Sequence, residues 1–264
     1  MSSKRCNPPV PGEFGFDHDG EELSFSKYTS EETGRIDAIV VPRFRFPTCP
    51  ICLEPHPDVD EHVPPESLGG KVMTWTCKKC NNDFGTAEDK LRSFIDLETT
   101  ADIEATDGSV PGKRAAKVAF RSSEGRPNGM FIRSAAAGFE DIIGTGSGEL
   151  RVKPLDMALV HASLLKHAYL AACLTNRDIP MTAEADGIRA VLMAARDRDA
   201  VALEQAQKAL GFEPAMGWVE ATNPPSILLV ETEETGELRW MFLLGGRFMV
   251  QWPFKDVEPV LADG

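Results

Sequence analysis

Positive charge is scarce in this chain: 28 lysines and arginines stand against 41 aspartates and glutamates over 264 residues, a formal net charge of −13. Affinity for nucleic acid comes largely from neutralised phosphates, so this balance excludes DNA binding by bulk charge alone. Long apolar runs are also missing. No stretch approaches the roughly 20 consecutive apolar residues of a membrane span, and the opening MSSKRCNPPVPGEF lacks the apolar core of a secretory signal. Neither a membrane nor export is expected. Cysteine is too unevenly spread for an extracellular disulfide framework. The six fall into two tight pairs, CPIC at 49–52 and CKKC at 77–80, with Cys6 and Cys173 alone. That usage points to a reducing, cytoplasmic setting.

Hydrophobic residues make up 42% and charged residues 26%, enough for a soluble globular chain with one large or two ordinary domains. Residues 1–36, rich in Gly, Pro and acids, read as an irregular acidic arm. DAIVVPRFRF (37–46) reads as extended chain entering the cysteine module, which runs over 37–96. Residues 97–112 read as an acidic linker, since 96–112 carries five acids and no base. From 113 to 264 the pattern is that of an α+β domain. RAAKVAFR and GMFIRSA flank the turn residues SSEGRPN as a hairpin, and GELRVK is a further strand. LDMALVHASLLKHAYLAACL (155–174) is apolar nearly all round, as a buried helix is. A second long helix opens at Thr182, continues through AVALEQAQKAL and stops at Gly211. SILLVE, LRWMFLLG and RFMVQW then form an antiparallel sheet with turns at Thr235-Gly236 and Gly245-Gly246.

Two Cys-x-x-C pairs with 24 residues between them match the ligand number and bite of a tetrahedral four-thiolate zinc site at Cys49, Cys52, Cys77 and Cys80. A rubredoxin-like iron centre and disulfides are the alternatives. A four-thiolate zinc is closed to water and substrate, so its expected role is structural. Charge is not uniform either: Lys113, Arg114, Lys117, Arg121, Arg126 and Arg133 face Glu124 alone over 113–133. Lys113, Lys117 and Arg121 are the candidate phosphate contacts.

Between the knuckles lies DEHVPPESLGGKVMTWTCKKCNNDFGTAED. With a first knuckle, an acid–His pair, proline, Gly-Gly, a short strand and a second knuckle running into Asn and a helix, residues 49–91 resemble the HNH (ββα-metal) endonucleases in their form with two zinc knuckles. The resemblance implies a zinc-stapled, treble-clef-like ββα module: a hairpin with Gly69-Gly70 in its loop, Val72–Thr76 as second strand, and a helix from Cys80. It also implies roles. His62 matches the general base that deprotonates a water aimed at phosphorus, Glu61 the carboxylate holding a catalytic Mg²⁺ or Mn²⁺, and Asn81 the second ligand of that ion. Hard cations take oxygen ligands, in keeping with this donor set. Val72 stands where the family carries its central asparagine. The expected activity is metal-dependent hydrolysis of phosphodiester bonds in DNA, with RNA as a further substrate class and self-association or a regulatory partner left open. The competing expectation is a non-catalytic zinc module that recognises nucleic acid or protein. The remaining histidines read as surface (His56), acidic loop (His18) or helix core (His161, His167), and Cys173 as an inert buried thiol.

Overall fold

The computed structural model describes residues 26–29, 36–105, 114–123, 126–133, 148–218, 225–234 and 237–260. Strands β1 (Ser26–Thr29) and β2 (Ile36–Val40) precede the cysteine region, which holds the hairpin β3 (Val59–Val63) and β4 (Lys71–Thr76), then helices α1 (Lys78–Asn82) and α2 (Gly85–Ile95). Strands β5 (Glu98–Ala105), β6 (Arg114–Ser123), β7 (Arg126–Arg133) and β8 (Gly148–Val152) follow. Three helices come next, α3 (Met157–Asn176), α4 (Ala183–Asp197) and α5 (Ala200–Leu210). The last described strands are β9 (Met216–Trp218), β10 (Ile227–Glu234), β11 (Glu237–Leu244) and β12 (Phe248–Gln251). The fold is α+β, as the sequence pattern predicts.

The strands form a six-stranded sheet in the order β1-β2-β10-β11-β12-β9, a four-stranded sheet β7-β6-β5-β8, and the β3-β4 pair alone. Every pairing among the described residues is antiparallel. Two expectations meet a different backbone here. Ser26–Thr29, inside the arm read as irregular, pairs with β2. Glu98–Ala105, read as linker, is the central partner of β6 and β8. The acids there alternate with small or β-branched residues; Ala101, Ile103 and Ala105 are buried, and Ile103 and Ala105 form a small core with Ala116. The hairpin expected around 124–125 exists as β6–β7, whereas the turn at Thr235-Gly236 falls outside the described residues.

One hydrophobic core runs through the cysteine region and the later helices alike. Cys49, Ile51, Phe84 and Leu91 share it with Tyr169, Leu192, Phe242 and Phe248. Its axis is α3, capped by Asp156, whose carboxylate accepts from the Leu159 amide. By length and apolar content α3 is sufficient for a membrane span, which the sequence reading did not anticipate; 78% of that stretch is buried inside the protein. The single long helix expected after Thr182 is two. Arg198 adopts a left-handed conformation at φ 57°, and Asp199 then caps α5. Thr182 and Gly211 are the cap residues at the two outer ends, as expected.

The β3–β4 hairpin is fastened to the large sheet at its tip. Ser226, just before β10, donates its hydroxyl to the Val63 carbonyl (2.7 Å) and accepts from the Lys71 amide (2.9 Å). Both glycines of the tip are sterically required. A Cβ on Gly70 would lie 1.6 Å from the Pro64 carbonyl oxygen, and Gly69 has φ 88°.

Candidate metal centre and the buried charge beside it

The first knuckle folds back on itself through the amide of Leu53 to the Cys49 carbonyl and the amide of Cys49 to the Glu54 carbonyl, both 2.8 Å. Leu53 adopts φ 63° to close it. In the second knuckle Cys77 caps α1, its sulfur accepting from the Cys80 amide at 3.4 Å. These two local folds bring all four sulfurs within 4.8 Å of one another, with Cys52 and Cys77 3.5 Å apart. A tetrahedron with metal–sulfur bonds of about 2.3 Å has sulfurs about 3.8 Å apart. The group therefore has the geometry to hold a metal ion such as zinc. Cys49 and Cys80 are fully buried. The hydrogen bond from Cys80, working against burial, draws the Cys49 thiol down to about 5.

The later helices reach into this centre with contacts that the motif does not announce. Arg196 of α4 donates to the Cys80 sulfur at 3.3 Å, its guanidinium held from the other side by Asp197. Tyr169 of α3 donates its hydroxyl to the Pro50 carbonyl inside the first knuckle (3.0 Å) and accepts from Arg189 (2.9 Å). Cationic donors at a thiolate centre reduce its negative charge and fix the ligands. Cys173, on the same helix, is fully buried as expected, and burial pushes its thiol up to about 12.

Beside the centre, β3 alternates: Glu61 and Val63 turn inward while Asp60 is exposed and His62 half-exposed. The register slips between Glu61 and His62, whose partners are Thr74 and Val72, so Met73 is an extra residue on β4. Met73 and Thr74 are consequently both buried. His62 thus lies on the outer face with Trp75, over whose ring Arg45 sits at 5.1 Å.

Glu61 is 2% exposed, and both of its oxygens are engaged. Oε1 meets the ammonium of Lys166 at 2.8 Å. Oε2 accepts from the Thr76 hydroxyl (2.9 Å) and from the Asn81 amide nitrogen (3.3 Å). That nitrogen also donates to the Asp60 carbonyl at 2.9 Å. Two acceptors on one side fix the amide with its NH₂ toward them, so the Asn81 carbonyl faces away from Glu61. Lys166, 1% exposed, bridges on to Glu88 Oε1 at 2.6 Å and lies 4.8 Å above the Phe84 ring. Burial acts against the lysine's charge, but Glu61 and Glu88 outweigh it and hold the ammonium above the ordinary lysine range. Burial likewise raises Glu88, yet Lys166 and His167 prevail and hold it well below the carboxylate range. His167 Nε2 is 3.5 Å from Glu88 Oε1, but the alignment gives no hydrogen bond, and neither ring nitrogen has one among the described residues.

The expected partners Glu61 and Asn81 are therefore together, but as carboxylate and amide donor, not as two oxygen ligands. This arrangement does not fit a divalent ion at Glu61: the cation there is Lys166. The only cluster of potential metal-ligating side chains found among the described residues is the four cysteines. Of the three basic candidates, Lys117 is exposed on β6, Arg121 belongs to the same strand, and Lys113 lies outside the described residues. The residue that sequence reading missed is Lys166. Its signal was available, since one lysine inside a 20-residue apolar helix needs a buried carboxylate to meet it. The chain matches no protein-family model, and neither the curated proteins nor the solved structures return a match.

Proposed function

We propose that this protein is a zinc-stapled phosphodiester hydrolase of the HNH type, acting on nucleic acid in a reducing, cytoplasmic compartment, with His62 as its general base. The observation that carries this reading is the pairing of a four-cysteine cluster with a hairpin that presents His62, half-exposed, on its outer face. Zinc is the metal that four thiolates at this spacing favour, and it braces the hairpin without entering the reaction. Histidine changes protonation near neutral pH and so takes a proton from water readily. The water oxygen then bonds to phosphorus, the bond to the 3′ oxygen breaks, and that oxygen takes up a proton from solvent. The products are a 5′-phosphate and a 3′-hydroxyl. Trp75, on the same outer face of the hairpin, and Arg45 over its ring supply an aromatic face and a cation for a strand of nucleic acid, and Lys117 and Arg121 of β6 are the further phosphate contacts of this reading.

One observation favours a second reading, a zinc module that binds nucleic acid or protein without cleaving it: Glu61 is sealed in by Lys166. Nicking of supercoiled plasmid at low salt, by zinc-loaded protein and its His62→Ala variant, separates the two. Under the first reading the variant loses about 10²–10⁴-fold in rate with its zinc content unchanged. Equal rates would remove His62 as the base. Binding without nicking by either protein would establish the second reading.

A further inference from the structure

We propose that the Lys166 ammonium is the resident cation of the hairpin site, seated between Glu61 and Glu88 in place of a divalent metal ion. The inference does not rest on hydrolysis by His62, because its readouts are metal binding and stability. Lys166 Nζ is 2.8 Å from Glu61 Oε1 and 2.6 Å from Glu88 Oε1, so one point in the core is shared by two carboxylates from different elements, β3 and α2. That is the position a hard divalent ion would take between two carboxylate oxygens at slightly shorter distances. Here it is filled from α3 by a side chain of this chain. The His167 imidazole, buried and without hydrogen-bonding partners among the described residues, lies 3.5 Å from the same Glu88 oxygen. Glu61 and Glu88 are thus a pair of carboxylates from two elements built around one ammonium group.

The ammonium holds this place against metal ions for two reasons. It is delivered by a helix packed in the core, so its local concentration is fixed by folding. A metal ion seated between Glu61 and Glu88 would also take both carboxylates from Lys166 and leave it charged and 1% exposed against the Phe84 ring, a cost that buried charges avoid. It follows that the wild-type module takes up no divalent ion at Glu61, and that removing the lysine uncovers a latent metal site.

The test uses the full chain loaded with zinc, titrated with Mn²⁺, which carboxylate oxygens accept and soft thiolates do not favour. The side-chain amide signals of Asn81, whose nitrogen is 3.3 Å from Glu61 Oε2, report on a paramagnetic ion at that carboxylate. In wild type one equivalent of Mn²⁺ leaves those signals intact and the melting temperature unmoved. In Lys166→Ala the same addition broadens them, raises the melting temperature, and binds about tenfold or more tightly than in wild type. Both effects vanish in the double variant Lys166→Ala/Glu61→Gln. Broadening of Asn81 in wild type at one equivalent overturns the proposal and needs no variant to fold. Binding to folded, zinc-loaded Lys166→Ala no tighter than to wild type overturns it as well.

Discussion

Lys166 is the residue on which the candidate site turns. An ammonium in an apolar core is tolerated because two carboxylates and an aromatic ring surround it, and each of those carboxylates is tolerated because the ammonium is there. The energetic consequence is asymmetric. Removing one member strands the others, at a cost of about 3–5 kcal/mol, whereas replacing opposed members together costs much less. Urea denaturation of Lys166→Met, Glu61→Gln and their combination measures this directly. The lysine change alone is expected to lose about 3–5 kcal/mol, and the double variant to recover a substantial part. Strict additivity of the two single effects would mean that the pair contributes no coupling. The same contact explains why Asn81 faces Glu61 with its NH₂: a carboxylate already neutralised by lysine still accepts two further hydrogen bonds.

Among elements, α4 is joined to the knuckles in a way that makes the four-cysteine cluster more than a local clasp. Arg196 donates to the Cys80 sulfur across a sequence separation of 116, and Asp197 holds both Arg196 and Lys79 of α1. Tyr169 of α3 adds a bond to the first knuckle at Pro50. Withdrawing zinc from the loaded chain with a strong chelator should therefore loosen α4 along with residues 49–56 and 77–82, while β10 and β11, paired along their full length, keep their protection. Hydrogen exchange of the zinc-loaded and zinc-free chain measures this. Unchanged protection over Ala183–Asp197 would show that the guanidinium–sulfur contact does not couple the two elements.

At the scale of the whole molecule, a shared core and a buried charge cluster make acid the condition that tests the fold. Glu88 is held well below the ordinary carboxylate range: burial pushes it up, and Lys166 and His167 more than compensate. A carboxylate depressed in the folded state contributes stability that is fully present above its unfolded value of about 4.3 and is lost as pH falls through that value toward the folded one. In the zinc-loaded chain, protons would also compete with the metal for the four thiolates, in the same direction. Urea midpoints measured from pH 7 to pH 3 should fall steeply below about pH 4 in wild type. In Glu88→Gln they should start lower and fall less, because the group that titrates is gone. Parallel curves for the two proteins would assign acid lability to the metal centre alone.

The cysteine pairs, the caps at Thr182 and Gly211, the Gly69-Gly70 turn and the buried character of α3 were legible in the sequence, because each is fixed within a few residues: a knuckle by its four-residue bite, a cap by one side chain and the amide three residues on, a tight turn by glycine's freedom at positive φ. The break at Arg198-Asp199 was legible only in part, since Asp199 is a good cap but nothing local demands that Arg198 turn left-handed. The pairing of Glu98–Ala105 was hidden by its acids, whose alternation marks a strand only when a sheet is there to receive it. Which cation faces Glu61 was decided by tertiary structure alone. The local motif offers a carboxylate and an amide and leaves their partner open; the packing of α3 against β3 and α2 brings an ammonium from the far half of the chain. Coulomb attraction in a poorly solvated core then fixes it there, because an unpaired charge at that depth has no cheaper state.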